Sequence, residues 1–264
     1  MQFDELIQGF KAHPDNEVTV PAEWGQGRAT FGGLVGALLY QAMEARCEPG
    51  RPLRAMAISF VGPLTPGEPA QVNAEVLRQG KAVSQMEARA VQQDGVKALA
   101  IGSFGAGRES KVRVESEPAP EAPAPDACQK LPYIAGVTPE FTRFIEMRWA
   151  FGGLPYSNRP ERQMGGWMRF RDLTGPVSPA HLVALIDAWP PALLPHLKSP
   201  APASSLSWTF ELMQPQPAFE AEDWLLYRAT IDQAADGYGQ TSAAIWTAQG
   251  ELVALSRQTV TVFG

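Results

Sequence analysis

The residues best placed to do chemistry sit where their neighbours are almost wholly apolar. Ser178-Pro179 is a good N-cap with proline at the first helical position, and the run that follows stops at Pro190-Pro191. Apolar side chains between them fall on every face, which predicts a buried helix from Ala180 to Trp189. Asp187 is its only acid. A bare buried carboxylate is costly, so Asp187 must be hydrogen-bonded, paired or shifted in pKa. Otherwise it lies at a fraying last turn and reaches water. Buried acids of the first kind often mark catalytic sites. The second odd residue is Gln258. Leu252, Ala254, Ser256, Gln258, Val260 and Val262 share one face of the last strand-like run, with Arg257 on the other. Gln258 therefore points inward, where its amide needs partners; a glutamine bonded to backbone would fit the same pattern.

Other catalytic kits are missing. There is no Gly-x-Ser-x-Gly elbow. His13, His181 and His196 are not at metal-ligand spacing, and no cysteine pair or His-Glu-x-x-His helps them, so no metal is expected. Gly102 to Gly107 holds glycines after a strand without a phosphate-loop Lys or Ser, and reads as a turn. Gly32-Gly33 opens an apolar run. Small residues at a helix start leave backbone N–H groups open to a ligand oxygen, though close helix–sheet packing explains them equally well.

The elements that must position these residues are stated twice. After the apolar stretch Gly32 to Met43 come Ala57-Ile58-Ser59-Phe60, a Pro-rich turn and strand-like runs ending near Ala100. After the second apolar stretch come Ser207-Trp208-Thr209-Phe210, another Pro-rich turn and runs ending near Leu255. Gly95 matches Gly250, and Phe60 matches Phe210. Asp94-Gly95 and Gln249-Gly250 are hairpin signals. Matching the copies sets Asp187 opposite Leu39, Gln258 opposite Ser103 and Ser205 opposite Ala55. Polar side chains occupy all three positions in the second copy, with Ser204 and Ser207 as neighbours that could replace Ser205. One site per chain, in the C-terminal copy, is the economical reading.

One helix and several antiparallel hairpins per copy predict an α+β architecture rather than alternating βαβ units. Strands are expected at 55–61, 70–78, 83–92 and 96–104, then at 141–151, 166–171, 205–212, 224–232, 240–247 and 252–263. Glu117-Pro118-Ala119-Pro120-Glu121-Ala122-Pro123-Ala124-Pro125 cannot hold a helix or a sheet ladder. The expected organisation is an N-terminal copy over 1–116, a linker over 117–137 and a C-terminal copy over 138–264. With 45% hydrophobic and 19% charged residues, the chain can bury a substantial core. A net charge of −6 argues against a nucleic-acid partner while leaving room for a local basic pocket. Cys47 and Cys128 form no disulfide framework, Met1 to Glu5 lacks the order of a signal peptide, and no run has the length of a membrane span. A cytoplasmic protein is expected.

Thr30-Phe31-Gly32-Gly33-Leu34-Val35-Gly36-Ala37 resembles the helix entry of acyl-CoA thioesterases of the II type. Trp224-Leu225-Leu226-Tyr227, and Gly250-x-Leu252-Val253-Ala254 followed by Gln258, resemble that family's final strands. The resemblance implies a double hotdog: two fused copies of an antiparallel sheet wrapped around a central helix. It implies hydrolysis of an acyl-CoA substrate without metal or cofactor. Asp187, Ser205 and Gln258 would hold the water, with Asp187 as general base. Gly32 or Gly33 amides from the opposing copy would stabilise the oxyanion, and the apolar space between the copies would take the acyl chain. Sheet edges in such folds invite a homo-oligomer, a dimer. A non-catalytic acyl-thioester- or protein-binding double hotdog is the alternative. A hotdog hydratase or dehydratase is a weaker one, since no histidine follows Asp187 until His196.

Overall fold

The computed structural model describes residues 1–93 and 95–263. The Asp94-Gly95 hairpin signal therefore lies partly outside the described residues. Two compact units emerge: Met1–Glu115, Ile134–Arg143 and Ser178–Ala184 form the first, and Ser116–Tyr133, Phe144–Val177 and Leu185–Gly264 the second.

The first unit begins with helix α1 (Phe3–Ala12), whose Phe3, Leu6, Ile7 and Phe10 are buried as their helical spacing requires. Short strands β1 (Glu17–Thr19), β2 (Gly25–Gln26) and β3 (Ala29–Thr30) lead to α2 (Gly32–Glu44). β4 (Leu53–Phe60), β5 (Pro69–Gln79), β6 (Val83–Gln92) and β7 (Gly95–Gly105) follow. Antiparallel pairing gives the order β1-β5-β6-β7-β4. α2 is buried from Gly33 to Met43 and packs across β5, β6 and β7. Ala70, Val72 and Ala74 of β5 alternate inward toward it.

The second unit contains β8 (Gln129–Leu131), β9 (Ile145–Phe151), β10 (Gln163–Phe170), β11 (Ala203–Leu212), β12 (Leu225–Ala235), β13 (Tyr238–Thr247) and β14 (Leu252–Val262). Its order is β11-β14-β13-β12-β10-β9-β8. β11 to β14 repeat the pairing of β4 to β7, the last strand lying beside the first. The duplication read from the sequence is thus a duplication of topology.

Helix α3 (Pro179–Ile186) precedes β11 as α2 precedes β4. It ends at Ile186, short of the expected Trp189, so Asp187 occupies the turn just beyond the helix. The expected strand from Phe141 is also shorter. Glu140–Arg143 is a 3₁₀ turn, in which Phe141 stacks on Phe31 with ring centroids 3.9 Å apart, and the strand starts at Ile145. Within the stretch read as a linker, Gln129–Leu131 pairs with β9, and Pro123 accepts a hydrogen bond from Trp167 Nε1 (2.8 Å). Ala119 and Ala122 pack against a cluster of Trp167, Leu226, Trp246 and Cys128. The Pro-Ala segment is an extended strap laid over one face of the second sheet.

Candidate active site

Asp187 and Gln258 meet. Gln258 Nε2 donates to Asp187 Oδ1 at 2.5 Å, and both side chains are half-buried. Of the readings open at the sequence level, the hydrogen-bonded carboxylate is the one adopted, and the glutamine's partner is that carboxylate. Gln258 faces inward on β14 because Ala254, Ser256 and Val260 on its face are buried while Leu255 and Arg257 are exposed.

The register around Gln258 separates the three serines. Trp208 of β11 lies directly across from Gln258 on one side and Thr241 of β13 on the other, so all three share a face. Trp208 is fully buried and anchored by its indole N–H to Ser256 Oγ at 3.0 Å. A bulge between Ser205 and Ser207 makes Leu206 the extra residue. Beyond it Ser205 pairs with Val260, which is fully buried and two positions from Gln258 on the same face. Ser207 pairs with Thr259 and Ser204 with Thr261, both on the other face. Ser205 is the serine whose row runs beside Gln258.

The loop after α3 is fixed to three neighbouring strands. Asp187 reaches β14 through Gln258. Trp189 stacks on Tyr227 of β12, ring centroids 5.6 Å apart and planes within 4°, and also contacts Trp149 at 5.1 Å. Leu193 lies over Gly239 of β13, where a Cβ would come within 2.5 Å of its Cδ1. An added Cβ there would force the Leu193 side chain to shift. Further along, Leu194, Pro195 and Leu197 carbonyls accept from the amides of Tyr156, Arg159 and Asn158. The carboxylate thus sits on a loop clamped at several points.

Burial, and secondarily the charge of Asp187, pushes the Tyr227 phenol above its ordinary range. It stays a neutral hydroxyl beside the carboxylate. Trp189 Nε1 is buried with no acceptor among the described residues. Sequence reasoning missed Trp189, Leu193 and Trp208; the signals were the aromatic residue two places after Asp187 and the glycine in β13.

Gly32 and Gly33 open α2, and the N-cap Phe31 supplies no side-chain cap. Their amides belong to the first turn, whose donors have no intrahelical acceptor. A Cβ at Gly33 would meet the Phe31 ring and lie 2.6 Å from the Ala184 carbonyl oxygen, so close packing also requires this glycine. His196 is exposed, with Nε2 3.0 Å from the Glu161 carbonyl, and His181 is engaged by Ser178 and Asp4. Among the described residues no three His, Cys, Asp or Glu are gathered as metal ligands, and no helix is long and apolar enough to cross a membrane.

A helix and an antiparallel sheet, each present twice in the same topology, define a double hotdog protein. Its sequence matches the model of the acyl-CoA thioesterase N-terminal domain over residues 20–105 and that of the C-terminal domain over 125–262. The chain belongs to the acyl-CoA thioesterase family. Among solved structures it resembles a hot dog fold protein of unknown function from Alicyclobacillus acidocaldarius (23% identity, TM-score 0.81, 94% of this chain and 92% of that one). It also resembles an acyl-CoA thioesterase II, TesB2, from Mycobacterium marinum (21%, 0.74, 94% and 92%). A TesB protein from Mycobacterium avium subspecies paratuberculosis is similar at 18% identity and a TM-score of 0.77, over 98% of each chain. Among curated proteins none matches the sequence.

Proposed function

We propose that this protein hydrolyses acyl-CoA thioesters to free acid and CoA with a water held by Asp187, Gln258 and Ser205, without a metal. The hydrogen bond from Gln258 to Asp187 carries this reading. Gln258 orients the Asp187 carboxylate, the proposed acceptor of a proton from water. The Gln258 amide oxygen is an acceptor for the other water hydrogen, and Ser205 completes the cradle from β11. Holding water against the thioester carbon removes the entropic cost of bringing it there.

The chemistry closes in two steps. Water oxygen bonds to the thioester carbon as Asp187 takes its proton, and the carbonyl becomes an oxyanion. The oxyanion then collapses, the carbon–sulfur bond breaks, and Asp187 returns the proton to the leaving thiolate. Gly32 and Gly33 are the proposed oxyanion donors, supported by the uncapped start of α2. A hydratase would want a histidine beside Asp187, and His181 and His196 are both committed elsewhere.

Thiol release from short, medium and long acyl-CoAs, with wild type beside Asp187→Asn, tests the reading. The variant is expected to lose about 10²–10⁴-fold in kcat. Unchanged turnover in Asp187→Asn would remove the proposed base. No turnover of any acyl-CoA by wild type would favour the acyl-binding alternative. Treatment with a chelator is expected to leave the rate unchanged.

A further inference from the structure

The row of side chains around Gln258 is closed on one side and open on the other. On the β11 side Trp208 is fully buried, and its indole N–H is engaged by Ser256 Oγ. On the β13 side the residue directly across is Thr241. Residues paired in this way have Cβ atoms about 4.5–5.5 Å apart, whereas a diagonal neighbour such as Ser205, which pairs with Val260, is at about 7–8 Å. Of the two hydroxyls, that of Thr241 lies nearer the Gln258 amide.

Thr241 shares its face with Ile245, which is fully buried, while Ser242 beside it points the other way and bonds Asp232. Thr241 is 8% exposed. Among the described residues its hydroxyl makes no hydrogen bond and is not sealed in by its neighbours. Inward polar groups are normally paired, so an open hydroxyl at this place calls for a partner that binds. Packing does not demand it: matching Gly95 to Gly250 sets Thr241 opposite Met86, which is fully buried in the first copy. The floor next to Thr241 is low. Ala243, two positions along on the same face, is only half-buried, and its cross-strand partners Ser256 and Ala229 are small as well.

The valences of the water decide which partner. In the proposed hydrolysis its two hydrogens go to Asp187 and Gln258, one lone pair accepts from Ser205, and the other attacks the thioester carbon. None remains for Thr241. The thioester must reach that water from a side that Trp208 does not fill, and the open side carries Thr241.

We propose that Thr241 is a further catalytic residue, its hydroxyl donating to the thioester carbonyl oxygen as that oxygen becomes the oxyanion. The inference rests on the thioesterase reading. As the water oxygen bonds to the carbon, the carbonyl π pair moves onto oxygen and the Thr241 hydrogen bond strengthens, the proton staying on Thr241. On collapse that pair re-forms the carbonyl, and the carbon–sulfur pair leaves with sulfur. An oxyanion accepts more than one donor, so the amides of Gly32 and Gly33 keep their proposed part.

Thiol release and thermal unfolding of wild type, Thr241→Val and Thr241→Ser test it, together with infrared spectra of a bound acyl-CoA analogue that keeps the carbonyl and carries CH₂ in place of the thioester sulfur. Valine keeps the shape and removes only a hydroxyl that bonds nothing in the protein, so the midpoint should be no lower than that of wild type. Expected are a kcat about tenfold or more lower in Thr241→Val, a smaller change in KM, and recovery of most of the rate in Thr241→Ser. The carbonyl stretch of the analogue should lie at lower frequency on wild type than on Thr241→Val. A Thr241→Val kcat within about twofold of wild type overturns the proposal. A loss of rate that comes with a lower midpoint and is not restored by serine overturns it as well, and makes Thr241 a packing residue. A carbonyl stretch at one position in both proteins overturns the contact. Wild type that turned over no acyl-CoA would remove the thioesterase reading and this proposal with it, whereas failure confined to the Thr241 variants leaves that reading standing.

Discussion

Gln258 Nε2 and Asp187 Oδ1 lie 2.5 Å apart, joining the middle of the last strand to the turn after α3 across 71 positions of sequence. This bond fixes one carboxylate oxygen. Replacing Gln258 by Ala removes the donor and frees the carboxylate to rotate, so kcat for acyl-CoA hydrolysis is expected to fall about tenfold to a hundredfold. Gln258→Glu sets a second carboxylate against the first. Like charges at that distance disfavour ionisation of the pair, so the acid limb of the kcat/KM profile should move to higher pH. A pH–rate series on the three proteins measures both effects. An unmoved acid limb in Gln258→Glu would mean that the pair does not govern the rate.

The bulge at Leu206 sets the serines on different faces. Ser205 pairs with Val260 on the Gln258 face, whereas Ser207 pairs with Thr259 on the other. Ser205→Ala should therefore lower kcat about tenfold or more, and Ser207→Ala should stay within about twofold, since only the first removes a hydroxyl from the water's side of the sheet. The opposite order, measured by thiol release, would assign the role to Ser207 and require a different register.

How much of this was legible follows from which residues obey local rules. The alternation of Ala254, Ser256, Gln258 and Val260 is a local pattern, and it places Gln258 on the face it occupies in the fold. Asp187 stands out as the only acid of its apolar run and Gln258 as an amide on an apolar face, and Leu39 and Ser103 at the matching positions of the first copy set both apart further. The sequence extends α3 to Trp189 because Ala188 and Trp189 continue the apolar run, whereas Trp189 leaves the helix to stack on Tyr227. Phe141 likewise reads as strand and instead turns away to stack on Phe31. The strap from Glu117 to Pro125 shows no ladder signal because its anchors are a carbonyl under Trp167 and two alanines on an aromatic cluster. Tertiary partners of this kind override local propensity and leave no periodicity to read.

Gly33 packs where no side chain fits. An added Cβ would meet the Phe31 ring and sit 2.6 Å from the Ala184 carbonyl oxygen. Phe31 cannot move aside easily, being fully buried and stacked on Phe141 with planes within 4°. Gly33→Ala is expected to cost about 1–3 kcal/mol by overpacking. Urea unfolding would show it as a lower midpoint at unchanged slope. An unchanged midpoint would show that α2 shifts without penalty.

His181 provides a pH dependence whose sign can be worked out. The Ser178 amide can only donate, and it donates to Nδ1 at 3.2 Å, so Nδ1 accepts and the proton resides on Nε2, 3.0 Å from Asp4 Oδ1. Burial disfavours the imidazolium more strongly than Asp4 favours it, and the pKa lies below the ordinary histidine value. In the unfolded chain the ring takes up its proton near the ordinary value of about 6.5. The neutral ring's contribution is therefore fully present above that value and is lost as pH falls through the lower folded pKa. Protonating Nδ1 would also turn the acceptor of the Ser178 amide into a donor and undo the start of α3. Wild-type unfolding free energy should decline with acidification in this window. In His181→Gln, where the position cannot titrate, that part of the slope should vanish while overall stability is lower. Urea titrations at closely spaced pH values on both proteins would measure the difference, and parallel slopes would rule His181 out as its source.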